Sequence, residues 1–374
     1  MCSNLEATKS KSKSASMLGI RVGQLVVAFW VLVFAAAVAR NNKVSKDPLI
    51  HMIPNFLLFT PFRAATKWCF RKVLVYDKEE KEMIPLPEIS AKNYTFEKLR
   101  EITDNFKHPA VVRGLFSETN AVKKWTTPGY LSQYLGDFEI PVIERAVYGT
   151  EQKDRIVMTF RDSFDEVLTD EKSMKYLFFP VKSRVAFNHS SMDSSNELLG
   201  DTVNELARVD LDLDRLWRGY GTEEHTTYKG AQIIAGQGGK AGKTGTNWHC
   251  APGNNWFIQI AGRKRWYFMD QEYSAYMQPQ RGGLNNVWTS AGLEMAELQK
   301  YLPVKYTDIG PGDMLYNPDF EWHTIKNYEG LSIGVPLREY NSTLTMRNNA
   351  QYAWYVIINH VFNKIGIQYG FGKA

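Results

Sequence analysis

The stretch "GTNWHCAPGNNWFIQIAGRKRWYFMD", residues 245–270, decides the fold. It contains two short aromatic and apolar runs, "NNWFIQIAG" and "KRWYFMD", in the company of glycine, proline and asparagine, a pattern typical of β-strands. Further runs of the same kind lie on either side: "AQIIAG", "DMLYNP", "WHTIKN" and "LSIGVPL". Short strands at close spacing, punctuated by turns, favour a β-sandwich or jelly roll over a parallel α/β sheet.

Upstream of these strands, helical and extended patterns alternate. "TFEKLREITDNF" (residues 95–106) has apolar residues at helical spacing and Thr95 as its N-cap. "HPAVVRGLF" predicts a strand ended by Gly114, and "TNAVKKWTTPGYLSQYLG" predicts a second helix closed by Gly136. The predicted fold class is therefore mostly β with flanking helices.

Composition limits the classes of protein. A chain of 374 residues, 44% hydrophobic and 13% aromatic, can bury a substantial core. Its cysteines, Cys2, Cys69 and Cys250, are too few and too scattered for a disulfide framework or a thiolate cluster, so a metal would need histidine or oxygen ligands. The net charge of +5 is spread along the chain, which gives no support to nucleic-acid binding.

The most apolar run is "VGQLVVAFWVLVFAAAVA", residues 22–39, which carries no charge and is bracketed by Arg21 and Arg40. At about 1.5 Å rise per residue, a helix of this length nearly spans a hydrocarbon core of roughly 30 Å. We expect a single-pass transmembrane signal-anchor and hence the lipid bilayer as a partner. A cleaved signal peptide is the alternative, because the run ends in the small residues "AVA".

This anchor divides the chain into five predicted segments. They are a basic polar tail (1–21), the anchor (22–39), a juxtamembrane linker (40–83), the main domain (84–345) and an aromatic C-terminal helix (346–374). The last of these could join two copies into a homodimer. Sequons beginning at Asn93, Asn188 and Asn341 favour a main domain on the lumenal side of an endomembrane, although basic residues flank both ends of the anchor.

The glycine-rich segment "AGQGGKAGKTG", residues 235–245, invites a phosphate-loop interpretation. That motif requires a glycine five positions before Gly242, where this chain has Gln237. A flexible connection between two strands explains the segment better.

Two histidines, His249 and His323, lie in strand-like surroundings with turn residues beside them. Histidines from separate strands of a jelly roll can converge on one metal, and neutral imidazole suits iron, zinc or copper. Taken singly, each is better explained as an ordinary half-buried histidine.

Residues 95–340 resemble the cupin-like JmjC fold of iron(II) and 2-oxoglutarate dependent oxygenases, in particular the branch that includes the asparaginyl hydroxylase factor-inhibiting HIF. The resemblance rests on Thr246-x-x-His249, Asn255, Lys264 and the segment "PGDMLYNPDFEWHTI", residues 311–325. It implies a double-stranded β-helix, the jelly roll of cupins and JmjC domains, behind the transmembrane helix.

The resemblance also implies the roles of individual residues. His249 and His323 would be metal ligands for Fe(II), and Lys264, expected on the strand after His249, would pair with the distal carboxylate of the cosubstrate 2-oxoglutarate. Thr246 and Asn255 would add hydrogen bonds to the same cosubstrate. The chain would then be an oxidative enzyme acting on a small-molecule or lipid-like substrate.

Ala251 departs from the family pattern, which has a carboxylate two residues after the first histidine. Three outcomes remain open. In the first, chloride or bromide occupies the vacated position, as in iron and 2-oxoglutarate dependent halogenases. In the second, Asp319 or Glu321 supplies the missing ligand, with Glu321 projecting on the same strand face as His323. In the third, the domain is an inactive, membrane-tethered binding or scaffold protein.

Overall fold

The computed structural model describes residues 80–144, 155–178, 195–213, 216, 226–238, 244–251, 253–273, 280–281, 288–289, 300–328, 330–341, 344 and 348. The predicted anchor (22–39) and the predicted C-terminal helix (346–374, except residue 348) lie outside these residues. Among the described residues, no helix is both long and apolar enough to cross a membrane.

The described strands form two sheets. Across the smaller sheet they are β1 (Ile84–Pro85), β14 (Lys305–Ile309), β11 (Lys264–Met269), β16 (Trp322–Asn327), β9 (Gly245–Cys250), β13 (Trp288–Thr289) and β12 (Gln280–Arg281). Across the larger sheet they are β2 (Glu88–Ser90), β3 (Ala110–Arg113), β15 (Met314–Asn317), β10 (Asn254–Ala261), β17 (Leu331–Asn341), β8 (Ile234–Gln237), β6 (Tyr176–Phe178), β4 (Glu139–Ile143) and β5 (Arg155–Thr159), with β7 (Thr226–Ala231) also paired to β17. Two mainly antiparallel sheets of this kind fit the predicted jelly roll.

Helices pack against the larger sheet. They are α1 (Phe96–Ile102), α2 (Asn120–Lys124), α3 (Ser132–Leu135), α4 (Phe160–Thr169) and α5 (Ser195–Leu211), with 3₁₀ turns at Ala91–Asn93 and Gln271–Tyr273. Strand β10 shows why the core has two parts. Trp256 and Ile258 belong to the cluster that includes the helices, whereas Phe257 packs with Trp266 of β11 in a second cluster between the sheets. Alternate side chains of a strand point to opposite faces, so one strand serves both cores.

The predicted helix over residues 95–106 begins as expected, because the Thr95 side chain accepts a hydrogen bond from the Lys98 backbone N–H at 3.0 Å. It stops at Ile102, since the chain turns left-handed at residues 104–106, where φ is 50°, 56° and 63°. The second predicted helix is two short ones, α2 and α3. Pro128, which fixes its own φ, and Gly129, with a φ of +78°, separate them.

The strand predictions in the decisive stretch are confirmed with small shifts. "NNWFIQIAG" and "KRWYFMD" form β10 and β11, and "WHTIKN" is β16. The run "AQIIAG" is divided, because β7 ends at Ala231 and β8 begins at Ile234.

Candidate metal and cosubstrate site

The two histidines singled out from the sequence lie opposite each other. His249 on β9 and His323 on β16 are partners across the antiparallel ladder, and their ring centroids are 4.2 Å apart. Directly opposed residues of neighbouring strands project from the same face of a sheet. The structure therefore brings both imidazoles to one place between the sheets.

Backbone hydrogen bonds orient both rings alike. His249 Nδ1 lies 2.7 Å from the carbonyl oxygen of Asn247, and His323 Nδ1 lies 2.8 Å from the carbonyl oxygen of Glu321. A carbonyl oxygen can only accept, so Nδ1 carries the proton in each neutral ring. The lone pair then resides on Nε2, which is the arrangement a metal-ligating histidine needs.

Electrostatics keep the pair neutral. Burial is the main cause that lowers the pKa of His249 to about 4; the Asn247 hydrogen bond opposes this shift and the positive charge of Arg338 adds to it. The pKa of His323 falls well below its usual value through burial, through His249 and, again, through Arg338. At neutral pH both imidazoles are therefore in the neutral form that binds metals.

The spacing Thr246-x-x-His249 has a structural cause. Three residues of a regular strand would place the two side chains on opposite faces. Here β9 takes three residues where β16 takes two, so Thr246 is opposite Ile325 while His249 is opposite His323. This irregularity brings Thr246 into register with the inner core, to which Ile325 belongs.

Several polar atoms around the histidines lack protein partners. Buried side-chain atoms without a hydrogen bond include Thr246 Oγ1, Asn255 Oδ1, Trp266 Nε1 and Asn317 Oδ1. Asn255 and Asn317 are cross-strand partners on β10 and β15, and the Asn317 Nδ2 atom lies 3.4 Å from His323 Nε2. Buried polar groups are nearly always paired, so a concentration of unpaired ones indicates a place for a polar ligand or water.

Lys264 forms the opposite end of this region. It lies on β11, two strands after His249 along the chain and not on the next strand as expected, because β10 intervenes. Its fully buried ammonium donates to Asn327 Oδ1 at 2.6 Å and to the Tyr176 hydroxyl at 3.4 Å. Within the described residues no carboxylate forms an ion pair with it. Burial lowers the pKa of Lys264 to about 7.

The ladder gives the separation between Lys264 and the histidines. Lys264 is opposite Asn327, Trp266 opposite Ile325, and Phe268 opposite His323. Four residues along a strand span about 13 Å at roughly 3.3 Å per residue. The Trp266 side chain lies between these two ends, with its ring stacked on His323 at 5.5 Å between centroids.

The acidic residues near His323 have other partners. Asp319 Oδ1 accepts from the Gly253 backbone N–H at 2.7 Å, and the Phe320 N–H donates to the Ala251 carbonyl at 2.9 Å. Residues 319–320 therefore hold the loop after β9 in place. Glu321 precedes β16, and its side chain lies in a cluster with His108 and Asp270. Glu321 lies one residue before β16, just beyond the Met269–Trp322 pair, and Asp270 lies just beyond the same pair on β11. The role of Glu321 as a third ligand beside His323 stays a prediction.

Four contributors were not identified from the sequence. Tyr176 and Asn327 contact Lys264, while Asn317 and Arg338 act on the histidines. Asn317 could have been predicted, since it belongs to the segment that carries the family resemblance. The other three depend on strand register and on β6, which no short motif reveals.

Comparison with known proteins agrees with this geometry. The family described as "Cupin-like domain" matches residues 98–337, more than half of the chain. A comparison with curated proteins finds no match. The family match includes both histidines, Lys264 and the strands that carry them, and it supports the predicted cupin/JmjC superfamily. The chain therefore belongs to the cupin-like domain family.

Proposed function

We propose that the chain is a membrane-anchored Fe(II) and 2-oxoglutarate dependent oxidative enzyme of the JmjC type, close to the branch of factor-inhibiting HIF. The observation that carries the proposal is the presence, in one site, of two neutral imidazoles and a buried lysine that has no carboxylate partner among the described residues. Burying such a lysine costs folding free energy, and a bound anion would offset that cost.

The residues present fit both groups. His249 and His323 would hold the metal, and Lys264 would pair with the distal carboxylate of 2-oxoglutarate, where a buried cation binds an anion strongly. The unpaired atoms of Thr246 and Asn255 would satisfy their hydrogen bonds on the cosubstrate. When bound, Fe(II) with 2-oxoglutarate supplies the activation of dioxygen that these side chains cannot perform.

Ala251 bears on the reaction. A facial triad has two histidines and a carboxylate, and a methyl group cannot ligate. The positive charge of Arg338 acts on both imidazoles and favours an anion close to them. A halide at the position of the missing carboxylate would supply negative charge to the metal, so we favour halogenation over hydroxylation. The position of Glu321 beside His108 and Asp270 also argues against a rearranged triad.

The alternative function is that of a membrane-tethered scaffold without catalysis. Ala251 and Arg338 favour it, because the missing carboxylate and the positive charge near the histidines both weaken the binding of a divalent metal. Lys264 argues against it, since an inactive domain has no use for an ammonium that is buried without a carboxylate partner among the described residues.

We propose the localisation, the substrate class and the oligomeric state from the sequence alone. The apolar run 22–39 supports anchoring in an endomembrane with the domain lumenal, and anchoring suggests a lipid-like substrate. The aromatic segment 346–374 supports a homodimer.

The proposal is tested by the coupling between metal and cosubstrate. In the full-length protein under anaerobic conditions, Fe(II) should strengthen the binding of 2-oxoglutarate, and 2-oxoglutarate should strengthen iron retention by the same factor. Calorimetry measures the first effect and equilibrium dialysis with metal analysis the second. His323→Ala should abolish the coupling, whereas Lys264→Met should abolish cosubstrate binding. Binding of neither, or binding of both without coupling, would support the scaffold.

A further inference from the structure

We propose that His108, Asp270 and Glu321 form a second divalent-metal site, separate from the histidine pair and taking a zinc-like ion. One ligand atom of each lies within 4.8 Å of the others. The set offers one imidazole nitrogen and two carboxylates, donors that suit Zn²⁺, Mn²⁺ or Fe²⁺. The inference does not depend on the proposed function.

The topology fixes these three residues at one end of the two sheets. Met269 and Trp322 form the last pair of the β11–β16 ladder, and Asp270 and Glu321 are the next residues beyond it. His108 comes from the segment just before β3 in the other sheet. A metal here would tie together the ends of both sheets, which is a common role of structural metal sites.

Unsatisfied atoms point into the cluster. Glu321 is 2% exposed, and its Oε1 has no hydrogen-bond partner. The buried Nδ1 of His108 has no hydrogen bond either, and it stands 3.7 Å from Asp270 Oδ1. A buried carboxylate oxygen without a donor is costly, and a metal ion would satisfy it.

The spacing and exposure suit an ion. Ligand atoms about 2.1 Å from a tetrahedral zinc are roughly 3.4 Å apart. Ligand atoms that lie within 4.8 Å of one another must therefore draw together by up to about 1.4 Å, which side-chain rotation can supply. The side chains of His108 and Asp270 are 33% and 26% exposed, which leaves a path for the ion and for a water ligand. Glu321 would be the buried ligand.

Neighbouring charges determine how such a site would behave. Lys305 forms an ion pair with Asp270, and Lys107 and Asp104 also act on the cluster. An ion must therefore displace the Lys305 ammonium from Asp270. Removing that ammonium should strengthen metal binding, the opposite of what removing a ligand does.

The test is a Co²⁺ titration of chelator-stripped, full-length protein, followed by visible absorption, with Zn²⁺ as competitor. We expect His108→Gln and Glu321→Gln each to weaken one binding site by at least about tenfold, since each removes a ligand, and Lys305→Met to strengthen it severalfold. His249→Ala should leave this site unchanged. Circular dichroism checks that each variant is folded.

Two results would overturn the inference. One is unchanged Co²⁺ binding in both ligand variants while they remain folded. The other is complete loss of Co²⁺ binding in His249→Ala, which would assign all metal binding to the histidine pair. If a ligand variant does not fold, Lys305→Met decides. Co²⁺ binding in Lys305→Met that is equal to or weaker than in the wild type would also contradict the site.

Discussion

Lys264 reduces the stability of the folded protein because its ammonium is fully buried. Its pKa of about 7 in the folded protein lies below the ordinary value of 10.5, so folding disfavours its charged form. At about 1.4 kcal/mol per pKa unit, the cost near pH 7 is on the order of 4 kcal/mol. This penalty is complete below pH 7 and disappears as the pH rises to 10.5.

Lys264→Met should therefore stabilise the protein while abolishing cosubstrate binding. Loss of the lysine leaves Asn327 Oδ1 without its donor at a cost of about 1–3 kcal/mol, so the net gain should be about 2 kcal/mol. Urea unfolding at pH 7 measures the gain. Lys326→Met, at a half-buried position of the facing strand, is the matched control and should change neither property. A destabilised Lys264→Met protein would contradict the assignment.

The affinity for 2-oxoglutarate should depend on pH through the same residue. A bound carboxylate raises the pKa of Lys264, so binding is strongest below pH 7 and weakens by roughly tenfold per unit above it. His249, with a pKa of about 4, does not titrate in this range. Calorimetry from pH 6.5 to 8.5 with Mn²⁺ as a redox-inert metal measures the slope. A flat profile would mean that Lys264 does not contact the cosubstrate.

Ala251→Asp should restore a complete facial triad. The added carboxylate should raise Fe(II) affinity by at least about tenfold and remove any dependence of the metal's spectrum on chloride or bromide. Ala251→Asn, which adds the same volume without charge, is the control and should do neither. Halide sensitivity that persists in Ala251→Asp would place the anion elsewhere.

At the scale of elements, the turn before β15 fixes the larger sheet beside the site. Asp313 Oδ1 accepts from the Gly114 N–H at 2.9 Å, and its Oδ2 accepts from Arg113 Nη1 at 2.8 Å. Gly312 has a φ of +85°, and a Cβ there would lie 2.6 Å from the Ser117 backbone nitrogen. This turn joins β15 to the end of β3.

Gly312→Ala should accordingly destabilise the protein by about 2 kcal/mol or more, because it combines backbone strain with a clash against main-chain atoms. Gly310→Ala is the matched control two residues away, where a Cβ would meet nothing within 4 Å. Thermal unfolding of both variants measures the difference. Equal melting temperatures would show that the backbone at this turn can shift to accept the added Cβ.

Local signals predicted these elements unevenly. The turn at residues 311–313 and strands β10, β11 and β16 were predictable, because glycine, proline and apolar runs act within a few residues. The division of the helical pattern at Pro128 and Gly129 also has a local cause, because proline and glycine interrupt helices. The placement of Glu321 beside Asp270 depends on the pairing of β11 with β16, which no local pattern contains.

At the scale of the whole molecule, the site depends on contacts between distant segments. Sequence spacing and family resemblance identified His249, His323 and Lys264, yet it is strand register that brings Asn327 to Lys264 and Arg338 towards the histidines. The cluster of His108, Asp270 and Glu321 likewise spans both sheets. Long-range pairing of this kind is fixed by the complete sheet, so no local pattern contains it.

The most direct test of the central claim is the visible charge-transfer absorption of an Fe(II)–2-oxoglutarate chelate in the anaerobic full-length protein. The account predicts that the band forms in the wild type and in His108→Gln, and that it is absent in folded His323→Ala. Absence of the band in the wild type, or its persistence in His323→Ala, would contradict the assignment of the histidine pair as the metal centre.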